Sequence, residues 1–127
     1  MRILDTASLP EIAMRQGMRG RWIADRERGT TAVAVLENVV EPGVAAPRHT
    51  HAFEELILVQ QGRLWVEIAG ERATVAAGQA VVIPANTAHA WGNDAGDTMR
   101  LLFVWPEAEP FAPGKSTYLE GLPPVVR

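Results

Sequence analysis

The sequence contains no cysteine, which excludes disulfides, thiolate nucleophiles, iron–sulfur clusters and the Cys-rich zinc folds. It has no apolar run near the ~18–20 residues that a membrane-spanning helix needs. Asp5 and Glu11 interrupt the N-terminus where a secretory leader would keep an unbroken apolar stretch. These absences set the expectation of a cytoplasmic protein with no membrane partner. Positive charge is also in short supply. Twelve Lys+Arg against fifteen Asp+Glu give a net charge of −3. With no basic run or stripe to follow a phosphate backbone, nucleic acid is not expected as a partner. At 127 residues the chain has room for one domain, 1–127, and no second core.

Helical periodicity is scarce too. Ser8-Leu9-Pro10-Glu11 has the form of a capping box, which predicts a short N-terminal helical segment running into residues 12–16 and ending before Gly17. The rest reads as strand and turn. Candidate strands at 30–41, 53–60, 63–69, 71–76, 79–84 and 98–105 are rich in Val, Ile, Leu and Trp, and most alternate with polar residues. Turn signals separate them at Pro42-Gly43, Gln61-Gly62, Ala69-Gly70, Ala77-Gly78, Pro84-Ala85-Asn86 and Gly92-Asn93-Asp94. Short strands so punctuated predict an all-β antiparallel sandwich or barrel. Its core lies at about 30–105, preceded by a segment 1–28 and followed by a tail, 106–127, that holds five of the nine prolines.

The three histidines carry the chemistry. His49 and His51 are two apart, so on an extended chain both imidazoles point the same way. Glu54 and Glu55 follow, and His89 comes just after a Pro-Ala-Asn turn. Imidazoles and a carboxylate together suit Mn, Fe, Co, Ni, Cu or Zn. An extended strand would hold His51 and Glu55 about 13 Å apart, at ~3.3 Å per residue, so the chain must bend near Ala52-Phe53 for both to reach one ion.

Two motifs carry a family resemblance. The first is Gly43, five residues, His49-Thr50-His51, three residues, Glu55, six residues, Gly62. The second is Gly78, five residues, Pro84-Ala85-Asn86, two residues, His89, three residues, Asn93. In these spacings the chain resembles the cupins, small jelly-roll barrels also described as double-stranded β-helices. One position departs, because Asn86 stands where the family usually has glycine. Asn tolerates a left-handed turn conformation better than other non-glycine residues, so the substitution is mild.

The resemblance implies one divalent transition metal ion per chain, held by His49, His51, Glu55 and His89, with coordination positions left open for a small-molecule ligand or substrate. Family spacing favours Glu55 over Glu54 as the fourth ligand. Parity supports it weakly, since Leu56 and Leu58 or Ile57 and Val59 could line the interior. Gly43, Gly62 and Gly78 are read as turn formers, and Trp65, Trp91, Phe103 and Trp105 as core or interface packing. Arg48 and Gln60, beside the first motif, are given a structural role.

Several cupin activities fit poorly. Metal-free sugar-nucleotide epimerases use a barrel tyrosine, whereas Tyr118, the only tyrosine, falls in the Pro-rich tail. Sulfoniopropionate lyases place a tyrosine soon after the motif glutamate, where this chain has Leu56, Ile57 and Leu58. Bicupins need a second domain. The expectation that survives is an O₂-dependent dioxygenase acting on a small chelating enol, catechol or diketone. In that reading Glu55 is also catalytic and takes the substrate hydroxyl proton. The alternatives are a non-catalytic metal and metabolite binding module, or a metal-dependent isomerase or lyase acting on a hydroxy or sugar acid. A homodimer is expected, with residues 18–28 and 106–127 long enough to cross to a neighbour and cover a strand edge.

Overall fold

Alternation of apolar and polar residues decides which way each strand faces, and eleven strands carry the chain in the computed structural model, which describes residues 1–127. They are β1 (Ile12–Arg15), β2 (Met18–Ala24), β3 (Ala34–Val40), β4 (Ala45–His51), β5 (Glu55–Gln61), β6 (Arg63–Ile68), β7 (Glu71–Ala76), β8 (Ala80–Ile83), β9 (His89–Gly92), β10 (Met99–Trp105) and β11 (Ser116–Tyr118). Two antiparallel sheets result, one in the order β1-β2-β3-β10-β5-β8 and the other β11-β4-β9-β6-β7. This is an all-β cupin jelly roll.

The core fills the space between the sheets. From the six-stranded sheet, β10 turns Met99, Leu101, Phe103 and Trp105 inward, and β5 turns in Glu55, Ile57 and Val59. From the other, β6 contributes Leu64 and Val66, and β9 contributes His89 and Trp91. A fully buried Leu, Ile or Phe of this kind stabilises the fold by roughly 1.5–3 kcal/mol.

β4 needs an irregularity to do its work. Ala46, His49 and His51 are all buried although Ala46 and His49 differ in parity. The β4–β9 register shifts between Ala46 and His49, around Pro47, which has no N–H to give to a ladder. The shift turns both sides of it inward. The Pro84-Ala85-Asn86 turn behaves as its composition suggests, with Asn86 at a φ of 57° in the left-handed region.

The N-terminus departs from the sequence reading. The helical segment is one 3-10 turn, Thr6–Ser8, and the residues expected to continue it form β1. Gly17, at a φ of 76°, closes a hairpin in which Ile12 pairs with Gly20 and Arg15 with Met18. A five-residue helix has few internal hydrogen bonds to repay its nucleation, whereas the hairpin buries Met14 and extends a sheet. The sheet therefore reaches N-terminal of residue 30, since β2 pairs along β3.

The segments expected to cross to a neighbour instead fold onto their own chain. β2 lies between β1 and β3. In the tail, β11 pairs with β4, Val125 N–H donates to the Met14 carbonyl at 2.9 Å, and Trp22 Nε1 donates to the Val126 carbonyl at 2.9 Å. No helix is long and apolar enough to cross a membrane.

Candidate metal centre

His49 and His51 enter from the end of β4, Glu55 from the start of β5 and His89 from the start of β9. The chain bends at Ala52 and Phe53, and that bend brings His51 Nε2 to 2.7 Å from Glu55 Oε2. One ligand atom from each of the four residues lies within 4.8 Å of the others, and all four residues are buried. Glu54, by contrast, is exposed. Glu55 shares its inward face with Ile57 and Val59, while Leu56 and Leu58 are only half-buried.

Each imidazole is oriented by a partner at Nδ1. His49 Nδ1 lies 2.6 Å from the Pro47 carbonyl, and His89 Nδ1 lies 2.9 Å from the Thr87 carbonyl. A carbonyl can only accept, so both rings carry their proton on Nδ1 and leave Nε2 as a lone pair. His51 Nδ1 meets Ser116 Oγ at 2.7 Å, and that hydroxyl donates to the Pro110 carbonyl at 2.9 Å. Ser116 is thereby left to accept from His51, so the third ring takes the same tautomer. Three Nε2 lone pairs and a carboxylate then converge on one point. Glu55 Oε1 and His89 Nε2, 3.8 Å apart, are buried without a hydrogen-bond partner. Convergent acceptors of this kind repel one another unless a cation sits among them, so the donor set fits a divalent ion.

The electrostatics agree. Burial pulls the His49 pKa down from 6.5 to about 4, with the neighbouring His89 acting in the same direction. Burial lowers His89 as well, against the opposing pull of Glu55. Both rings are therefore neutral at pH 7, as metal ligation requires. Burial alone would push Glu55 up. In the metal-free protein a proton on His51 Nε2, 2.7 Å from Oε2, or on His89, together with the Trp105 N–H, outweighs it and holds the carboxyl below its ordinary range; a bound cation would take the place of those protons.

Beside the cluster lies a small cavity of about 30 Å³. Trp91, Phe103, Trp105 and Phe111 line it, with Met14 and Leu36. The sequence reading gave Trp105 to core or interface packing; it is buried, and its Nε1 also donates to Glu55 Oε2 at 2.8 Å. Tyr118, set aside as a tail residue, stacks on His49 with ring centroids 4.7 Å apart and planes 12° apart. The one signal for this in the sequence is the alternation within Ser-Thr-Tyr at 116–118, which puts Ser116 and Tyr118 on one face of an extended segment. Arg48 is exposed and pairs with Glu120 at 3.2 Å, and Gln60 is exposed; neither lines the cavity. Trp65 lies outside it as well, beneath the Arg72 guanidinium at 4.2 Å.

Comparison with known proteins agrees with this architecture. A Streptomyces cyaneus protein described as polyketide synthase CurC is 27% identical over 116 residues, covering 91% of this chain and 73% of that protein. Among solved structures, the polyketide cyclase RemF from Streptomyces resistomycificus is similar at a TM-score of 0.79 and 22% identity, over 96% of this chain and 87% of that one. An oxalate decarboxylase from Bacillus subtilis gives a TM-score of 0.78 at 19% identity, covering 91% of this chain but 32% of the decarboxylase. The model of the cupin domain family matches residues 37–105, more than half of the sequence and the whole of the histidine–glutamate cluster, and the chain belongs to that family.

Proposed function

We propose that the protein is a metal-dependent enzyme acting on an enolisable diketone or polyphenol of the polyketide type, by proton transfer and ring closure. The observation that carries this reading is the aromatic cavity lined by His49, His51 and Glu55, three of the four residues of the cluster. Flat unsaturated rings match walls of Trp and Phe, and vicinal or 1,3 oxygens match an open metal position. Two relatives that align along most of this chain, CurC and RemF, are described as a polyketide synthase and a polyketide cyclase, which supports the same substrate class.

A divalent ion held by these four residues would polarise a carbonyl oxygen and make the adjacent carbon more acidic. The chain's own groups do the rest. Glu55 is held below its ordinary carboxyl range, and on loosening from the ion it would take a proton from a substrate carbon or hydroxyl. Ser116, Pro47 and Thr87 hold the three rings in the tautomer that ligation needs. The apolar walls exclude water, which keeps the proton on its intended path.

A second reading is favoured by the donor set, which suits redox-active Fe, Mn or Cu as well as Zn. With such a metal the same cavity serves as an O₂-dependent dioxygenase on a small chelating enol, catechol or diketone. The experiment that separates them starts with elemental mass spectrometry on untagged protein, beside a His49→Ala/His51→Ala variant. Near-stoichiometric metal that is lost in the variant supports the site. Turnover of a 1,3-diketone without O₂ then supports ring closure or isomerisation, and strict O₂ dependence supports the dioxygenase. No metal in either protein, even after reconstitution, overturns both. A Glu55→Gln protein that keeps its metal and its full turnover overturns the base role.

The homodimer is carried forward as a proposal, through a different surface from the termini. Val35, Val104, Leu56 and Val82 stand in register across β3, β10, β5 and β8. They form an apolar row on the face opposite the core, and Val82 is 55% exposed. A covered face of this kind is more stable in water than an open one.

A further inference from the structure

The cavity has two further polar side chains that the metal-ligand cluster does not use. Arg15 on β1 and Asn38 on β3 both line it. Arg15 Nη2 is shielded from solvent and has no hydrogen-bond partner, and no carboxylate lies within ion-pair distance of the guanidinium. Its aromatic neighbour is Tyr118, whose ring centroid is 5.7 Å from Cζ. Asn38 is 2% exposed, and its Oδ1 is likewise without a partner. Gly20 keeps that oxygen accessible: a Cβ there would stand 3.0 Å from Asn38 Oδ1 and 2.2 Å from Met14 Sδ.

A guanidinium nitrogen and an amide oxygen shielded from water in one cavity without partners cost free energy in the empty protein, although Arg15 is only half-buried and also meets the Tyr118 hydroxyl. A ligand that satisfies both recovers that cost, and their chemistry defines it. The guanidinium fork takes an anionic oxygen, and Asn38 Oδ1 takes a hydroxyl proton. Trp91, Phe103 and Phe111 supply an apolar wall for the body between. We infer that Arg15 and Asn38 form a specificity site for an aromatic or polyenolic ligand bearing an anionic oxygen and a neighbouring hydroxyl. This rests on the cavity being the substrate site, and it deepens that reading: the substrate is bound as an anion through Arg15. Arg15 lies outside both histidine motifs and outside the region matched by the family, so the selectivity is written in β1.

The test reads binding, with no turnover needed. Trp91 and Trp105 line the cavity, so their fluorescence reports its occupancy. Salicylate carries an aryl carboxylate with an adjacent hydroxyl, 1,3-cyclohexanedione carries an enolate, benzoate lacks the hydroxyl, and methyl salicylate lacks the charge. Each is titrated into the zinc-loaded and the metal-stripped full-length protein. In the wild type an anionic probe binds more tightly than methyl salicylate. Arg15→Met weakens the anionic probes at least about tenfold and leaves methyl salicylate unchanged. Arg15→Lys, which keeps the charge without the fork, retains part of the affinity and serves as the second variant should Arg15→Met not fold. Asn38→Leu weakens salicylate more than benzoate. Whichever of salicylate and the enolate loses more in Arg15→Met identifies the source of the anion.

The ligand-free Arg15→Met protein melts no lower than the wild type, because it removes a shielded guanidinium nitrogen that has no partner. A purely structural arginine would give a lower melting temperature. Equal binding of the anionic probes by wild type and Arg15→Met overturns the inference, as does a wild type that prefers the neutral ester or binds no probe. Zinc content is measured on every sample. Absence of zinc from the wild type would count against the metal-dependent reading alone, because the stripped protein still reports on Arg15.

Discussion

Trp105 Nε1 and Glu55 Oε2 are joined by a 2.8 Å hydrogen bond inside the barrel, between two side chains that are each 1% exposed. The indole sits at the end of β10 and the carboxylate at the start of β5, strands that are neighbours in the same sheet. The bond occupies Oε2, which also lies 2.7 Å from His51 Nε2, and leaves Oε1, 3.8 Å from His89 Nε2, without a partner.

Replacing the indole tests that role. Trp105→Phe keeps an aromatic ring in the core but removes the donor. Metal affinity is expected to fall by about 10–100-fold, the usual cost of losing an outer partner of a metal ligand. Thermodynamic stability should fall by a further ~1–3 kcal/mol, from the lost bond and the looser packing of a smaller ring. Chelator competition and thermal melts measure the two separately. An unchanged metal affinity would mean that the indole is only filling space.

The pH dependence of the metal-free protein follows from His49. Its folded pKa is about 4 against 6.5 in the unfolded chain, so the unfolded state binds more protons between those values. The stabilisation is fully present above pH 6.5 and is lost as pH falls toward 4, a difference of roughly 3 kcal/mol. His89, lowered by burial, acts in the same window, and Glu55, held below its ordinary range, extends the loss to lower pH. Melting temperatures of chelator-treated protein from pH 8 to pH 4 should decline with an onset near 6.5. Zinc should raise the melting temperature most above that onset, where the rings are free to ligate. A flat profile down to pH 5 would refute the assignment of His49 as a buried neutral imidazole.

How much of this was legible in the sequence depends on how far apart the interacting residues stand. His49, His51 and Glu55 fall within seven consecutive residues, and the turn before His89 is marked by proline and asparagine, so the cluster could be read through the resemblance to the cupin motifs. The alternation in 63–68 put Leu64 and Val66 on one face, and that face is the buried one. Residues 12–15 misled because a capping box is a local signal, while β1 exists only through its pairing with β2. Trp105 and Glu55 are fifty residues apart, and Ser116 and His51 sixty-five, so nothing local betrays either contact. Tertiary packing decided those positions.

The outer face of the six-stranded sheet yields a prediction about assembly. Leu56 and Val104 are cross-strand partners at the centre of the apolar row. Leu56→Lys and Val104→Lys place a charge on that face without disturbing the inward row of Ile57 and Phe103. Light scattering should give a dimer mass for the wild type and a monomer mass for each variant, with melting temperatures that become independent of concentration. A monomeric wild type would refute the homodimer outright.

The last prediction concerns the tail, which reaches the metal-ligand cluster through two side chains. Ser116 Oγ orients His51, and the Tyr118 ring lies flat on His49. Ser116→Ala leaves β11 paired with β4 but removes the only protein partner of His51 Nδ1, so His51 can adopt the other tautomer or rotate. Metal affinity should fall by about tenfold or more while the fold survives. Tyr118→Phe preserves the stacked ring and should leave metal affinity near the wild-type value. Truncation after residue 115 removes both contacts together with the Val125 and Val126 backbone bonds to β1 and β2. That variant should lose metal binding to a greater extent than Ser116→Ala. Equal metal affinity in the truncated and full-length proteins would mean that the tail only covers the barrel and does not orient its ligands.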